Sequence, residues 1–105
     1  MMAQFDVHRN NGKHRDAIPY VVVVQSTLFD DYKRRVVVPL VKASAVGNVS
    51  NPRFNPAFKI ANSLVVLHPL EMVSVALEDL GKPVASLAKE ADRIIGALDE
   101  LLMRV

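Results

Sequence analysis

The sequence predicts a mainly-β domain finished by one C-terminal helix, and two observations carry that expectation. The runs Tyr20-Val21-Val22-Val23-Val24 and Val36-Val37-Val38 are β-branched and can bury side chains on both faces of a sheet. The last third follows a different period. Leu87, Ala91, Ile94, Ile95, Leu98, Leu101, Leu102 and Val105 recur at three- and four-residue spacing, which draws one apolar stripe along a helix. Several short strands followed by a terminal helix indicate a small β-barrel or curled sheet with that helix as its cap.

Taken in order, Gln4-Phe5-Asp6-Val7-His8 alternates apolar and polar residues as a half-buried strand does, and Arg9 to Arg15 is a polar turn. Ile18 to Gln25 is then the return strand of a hairpin. After the turn Asp30-Asp31-Tyr32-Lys33, a third strand starts at Arg35 and is expected to stop at Pro39, which has no N–H for a central ladder. Val41 to Pro56 holds Gly47, Asn48, Ser50, Asn51, Pro52 and Asn55 and reads as a long loop. Phe58-Lys59-Ile60 and Leu64 to His68 predict a second hairpin, with its turn at Asn62-Ser63 and its end at Pro69. Met72 to Leu77, with Val73 and Val75, predicts a further strand. Ser86 is the expected N-cap of the terminal helix. Gly96 should weaken the middle of that helix by ~1 kcal/mol relative to alanine unless it permits close packing.

The length of 105 residues, half of them hydrophobic, suits one domain over residues 1–105 with one core. The absence of cysteine excludes disulfides, thiolate metal ligands and a thiol nucleophile, and accords with a reducing cytoplasm. No apolar stretch approaches the ~18 to 20 residues of a membrane span, and the first residues lack a signal-peptide pattern. A cytoplasmic protein without membrane contact is therefore expected. The net charge of +2, from 13 basic and 11 acidic residues, is too small to indicate nucleic-acid binding by itself. His8, His14 and His68 fall on different elements without ligand spacing, and no phosphate loop or nucleophile elbow occurs, so no metal or cofactor is expected.

Three features need a reason. Leu28-Phe29 is an apolar pair in a turn, where polar groups usually stand. The tail Leu101-Leu102-Met103-Arg104-Val105 is apolar at a chain end that would otherwise fray. Core packing or an interface would bury either. The basic groups Arg9, Lys13, His14 and Arg15, and the cluster Lys33-Arg34-Arg35, are solvated loops or a seat for an acidic partner. Nearby aromatic groups are limited to Phe29 and Tyr32, so an acidic peptide suits them better than DNA.

The stretch YVVVVQSTLFDDYKRRVVVPL, Tyr20 to Leu40, resembles the CcdB family: an aromatic-led valine strand, Gln-Ser, an apolar pair, Asp, a turn, Arg, and a strand ending in Pro-Leu. The resemblance continues more loosely over residues 51–60, best from Pro56 to Ile60, then through SVALEDLGKPVASL at 74–87 and RIIGALDELL at 93–102, and Gln4-Phe5 also fits. It implies an SH3-like barrel, shared by CcdB and MazF proteins, with a small extra sheet and one long C-terminal helix, associating as a two-fold homodimer. It further implies a toxin of a toxin–antitoxin system that binds the A subunit of DNA gyrase, traps the cleaved DNA complex, performs no catalysis, and is neutralised by a partly disordered, CcdA-like antitoxin. No direct nucleic-acid binding is expected without that antitoxin.

By matching position, the gyrase-binding residues implied are Ser26, Leu28, Phe29, Asp99, Met103, Arg104 and Val105. Asp99 stands where the family usually has a polar side chain of similar size. Gyrase-poisoning members commonly end in Gly-Ile, often preceded by Trp, whereas this chain ends Met103-Arg104-Val105. For antitoxin contact the expected surface is Arg9, Lys13, His14 and Arg15 together with Val46 and Asn48 in the loop that follows, because acidic disordered segments dock where charge and mobile backbone meet. Two alternatives use the same fold: a MazF-like endoribonuclease of messenger RNA working through Arg34 and Arg35, and a non-poisoning relative that binds an antitoxin and regulates through it.

Overall fold

The computed structural model describes residues 3–49 and 51–103. The elements run β1 (Asp6–Arg9), β2 (Tyr20–Val23), β3 (Arg34–Lys42), α1 (Ala43–Val46), β4 (Ala57–Ile60), β5 (Ser63–Leu67), β6 (Val73–Ala76), β7 (Pro83–Ser86) and α2 (Ala91–Leu102). The architecture is mainly β, a half-barrel of antiparallel strands with the C-terminal helix against it. The order across the sheet is β4-β5-β3-β2-β1-β7, and β6 branches off β3.

The third strand does not stop at Pro39. β3 continues to Lys42, paired with β2 from Val23↔Val37 to Tyr20↔Leu40. Its other edge serves two partners: residues 34–37 pair with β6, and residues 40–42 pair with β5. The Pro39 carbonyl accepts the His68 N–H at 3.0 Å on that second edge. The missing N–H therefore falls where β6 hands over to β5, between the residues registered with either partner, so the proline does not interrupt those pairings. The expected long loop is accordingly shorter, because β3 and the single turn α1 occupy its first six residues up to Val46.

Other boundaries shift for local reasons. Phe5 precedes the first strand with φ +71°; its N–H donates to the Val23 carbonyl at 2.6 Å, its carbonyl accepts the Leu87 N–H at 2.8 Å, and its ring joins the core. The return strand narrows to Tyr20–Val23, with both faces covered as its valines suggest. In the second hairpin the turn residues are Ala61 and Asn62, at φ +47° and +67°, a pair of left-handed residues that matches the twist of the flanking strands. β7, a strand with no clear signal in the sequence, pairs with β1 and shifts register between Val7 and His8.

The core lies between the sheet and α2. Val7, Val22, Val38, Leu40, Phe58, Val65 and Leu67 meet Leu87, Ile94 and Ala97. Ser86 is not the cap of the terminal helix: its Oγ accepts the Ala88 N–H at 3.2 Å, but a 3-10 turn, Ala88–Glu90, intervenes, and α2 starts behind Glu90 without a side-chain cap. The buried part of the helical stripe is narrower than the spacing suggests: Ile94 and Ala97 are buried, Ala91 and Leu98 are partly buried, and Ile95 and Leu102 are exposed. Nothing lies within 4 Å of the position a Cβ would take on Gly96, so this glycine serves no close approach. Gly96→Ala is expected to raise stability by about 0.5–1 kcal/mol, read as a higher urea midpoint at unchanged slope.

Candidate functional site

The segment between β2 and β3 is short, exposed and held firmly. Thr27–Phe29 form a 3-10 turn, and the Ser26 hydroxyl accepts the Leu28 N–H at 3.2 Å. Leu28 and Phe29 point away from the core, and Leu28 is 85% exposed. Tyr32, a residue the family pattern does not single out, packs its ring edge-on to Phe29 at 6.3 Å between centroids and is also exposed. The apolar pair in the turn thus belongs to a surface, not to the core.

The helix end forms a second exposed group. Leu102 and Met103 are exposed, Met103 to 72%, and the Asp99 carbonyl accepts the Met103 N–H at 2.9 Å. Asp99 itself is exposed. Arg104 and Val105 lie outside the described residues. Among the described residues no hydrogen bond or ion pair joins the Ser26–Phe29 group to the helix end; α2 itself contacts the 3-10 turn Pro69–Glu71.

A third feature is a cleft of about 470 Å³ under the loop between β1 and β2. Arg9, Lys13 and His14 stand on its rim, while Val21, Val37, Pro39, Val73 and Val75 contribute apolar lining. The register explains the collection: Val21 opposes Pro39 and Val37 opposes Val73, so distant segments share one face. The loop is shaped by Asn10, whose Oδ1 accepts the Gly12 N–H at 3.0 Å and whose Nδ2 donates to the Ile18 carbonyl at 2.8 Å. Arg15 does not line the cleft; its guanidinium donates to the Gly12 carbonyl at 3.4 Å. Val46 is half-buried in α1 and Asn48 is exposed beyond it, both outside the cleft lining. The base of the loop is tied to the strand that precedes α1, where the Ala17 carbonyl accepts the Lys42 N–H at 2.8 Å.

Two basic groups expected on solvated loops have structural roles. Arg35 is 5% exposed; its guanidinium donates to the carbonyls of Tyr32 at 2.6 Å, Arg34 at 2.9 Å and Asp30 at 3.2 Å. Arg34 donates to Ser74 Oγ at 2.8 Å and to the Ser74 carbonyl at 2.7 Å. His8 is fully buried, its Nδ1–H donating to the Gly81 carbonyl at 2.9 Å. A carbonyl has no sequence signature, so partners of this kind cannot be read from the residues alone.

Compared with known families, residues 4–103 match the model described as CcdB protein. The chain belongs to the CcdB family. That membership puts it among the toxins of toxin–antitoxin systems. A comparison with curated proteins gives no match. Among the described residues of this CcdB-family chain, no helix is long and apolar enough to cross a membrane.

Proposed function

We infer that the protein is the toxin of a type II toxin–antitoxin system that binds the A subunit of DNA gyrase and traps its cleaved DNA complex, as a two-fold homodimer and without chemistry of its own. CcdB-family membership supports the class of target. One observation carries the reading on this chain: Leu28, 85% exposed, is held outward on a loop whose carbonyls are pinned from beneath. A bulky alkyl group fixed in water gives the isolated protein nothing, whereas in a complex it anchors an interface. Phe29 and Met103 extend the apolar material, Ser26 and Asp99 add polar groups, and Arg104 and Val105 complete the surface by their position in the family pattern.

Inhibition then follows from differential affinity. A ligand that prefers the cleaved, open state of gyrase shifts the population toward it, and turning a 1:99 balance into 99:1 requires a preference of about 10,000-fold. The test is gyrase, supercoiled plasmid and purified protein, followed by denaturation and scoring of linear DNA. Linear DNA that accumulates with protein dose supports the reading; undisturbed supercoiling at saturating protein refutes it and leaves the non-poisoning alternative.

A CcdA-like, acidic and partly disordered antitoxin suits the cleft, because Arg9, Lys13 and His14 border an apolar floor that an amphipathic segment would cover. Arg15 is on the same loop as that rim, while Val46 and Asn48 stand outside the cleft lining, so the cleft itself argues only for Arg9, Lys13 and His14. Replacing Arg9, Lys13 and Arg15 together with Glu is expected to weaken antitoxin binding by about 100-fold at low salt and less at high salt. Titration calorimetry at two salt concentrations checks this, and unchanged affinity places the antitoxin elsewhere. The ribonuclease alternative gains no support, since the Arg34 and Arg35 guanidinium groups it needs are engaged with Ser74 and with backbone carbonyls.

A further inference from the structure

The loop that carries Leu28, Phe29 and Tyr32 buries none of the residues of its 3-10 turn, so packing does not hold it. Two side chains do. Gln25 Nε2 donates to the carbonyls of Phe29 and Arg34, each at 3.1 Å, while its Oε1 accepts the Val36 N–H at 3.0 Å. Arg35, on the neighbouring strand, donates to the carbonyls of Tyr32, Arg34 and Asp30 and faces the Asp30 carboxylate at 3.7 Å. The carbonyls of Phe29, Asp30 and Tyr32 are thereby drawn inward, and the apolar side chains of Phe29 and Tyr32 stay at the surface.

Burying a guanidinium is costly in desolvation, and an apolar side chain at position 35 would fill the space without that cost. What an apolar side chain cannot supply is a planar fork that grips three carbonyls in fixed directions. An exposed apolar loop held in one shape binds better than a floppy one, because its ordering entropy is lost before the partner arrives.

We propose that Gln25 and Arg35 are positioning residues for target recognition: they hold residues 26–33 in the shape that the gyrase target binds, without touching gyrase. The inference rests on the gyrase reading above. Its test uses Gln25→Glu, nearly isosteric but unable to donate to the two carbonyls, and Arg35→Lys, which keeps the charge and loses the fork. Two measurements are made on each full-length variant at a temperature where circular dichroism shows the fold intact. One is amide exchange at Leu28, Phe29, Asp30 and Tyr32; the other is affinity for the purified A subunit of gyrase. Both variants are expected to speed exchange at these amides by about 10-fold while amides of β5 and α2 keep their protection. Affinity is expected to fall by about 10-fold or more. Leu28→Ala serves as the contrast, losing affinity with exchange unchanged. Faster exchange with unaltered gyrase affinity overturns the recognition role and leaves the gyrase reading standing. Unaltered exchange in both variants overturns the proposal at its first step. Wild-type protein that does not bind gyrase overturns the gyrase reading, and this inference falls with it.

Discussion

Leu28→Glu is expected to abolish accumulation of cleaved DNA in the gyrase assay while leaving the protein folded and still able to bind its antitoxin. The side chain is 85% exposed and makes no buried contact, so its replacement should change stability by no more than about 0.5 kcal/mol. In a complex the same position would be an apolar anchor, and a carboxylate there must be desolvated without a partner. Truncating a central anchor costs about 2–4 kcal/mol, and burying an unpaired charge adds to that. The expected loss of affinity is therefore about 100-fold or more. Met103→Glu at the helix end should act in the same direction, since Met103 is 72% exposed. The decisive readout pairs linear-DNA yield with a thermal melt. Full poisoning activity in Leu28→Glu would remove the loop from the interface and, with it, the main support for the proposed function.

How much of this surface is legible in the residues depends on the kind of signal. Leu28-Phe29 is visible in the sequence because an apolar pair in a turn violates an expectation, and the structure leaves it exposed. Arg35 is the opposite case. It sits in a basic triplet, Lys33-Arg34-Arg35, that reads as solvated, yet it is 5% exposed because the loop before it folds back and presents carbonyls to the guanidinium. Backbone acceptors exist at every residue, so sequence alone cannot say which will converge. The cleft has the same character: its basic rim is contiguous from Arg9 to His14, whereas its floor joins Val21, Val37 and Val73 through strand register.

The fold divides along similar lines. Elements with a strong period, namely β2, β3 and α2, are legible because β-branched runs and three-four spacing each favour one backbone conformation. β7 is not legible. Pro83-Val84-Ala85-Ser86 has a proline and a single β-branched residue, and it is a strand because β1 offers it an edge, a tertiary reason that local propensity does not contain. Pro39 makes the same point in reverse: the local rule forbids it in a central strand, and the hand-over between β6 and β5 provides the exception.

The largest stability effect is expected at the junction of α2 and β4. Phe58 is fully buried in the core, and Arg93 lies over its ring with the guanidinium carbon 4.4 Å from the centroid. Arg93 also donates to the Ala57 carbonyl at 2.6 Å and pairs with Glu90 at 2.6 Å, so one side chain ties the start of the helix to the strand beside it. Phe58→Ala removes the ring from a packed site and takes away the surface on which Arg93 rests. Such truncations cost about 3–5 kcal/mol, a large share of the ~5–15 kcal/mol by which a domain is stable. Arg93→Ala leaves the core filled and loses a half-exposed ion pair, one hydrogen bond and the ring contact, for about 1–2 kcal/mol in all. Because both changes delete the same ring contact, the double variant should be less destabilised than the sum of the two, by about 0.5–1 kcal/mol. Urea unfolding of the four proteins at one fixed concentration measures this coupling, the fixed concentration being necessary because self-association would add to apparent stability. Strict additivity would mean that Arg93 holds the helix through Ala57 and Glu90 alone, and that the stacking on Phe58 contributes nothing to how α2 is seated.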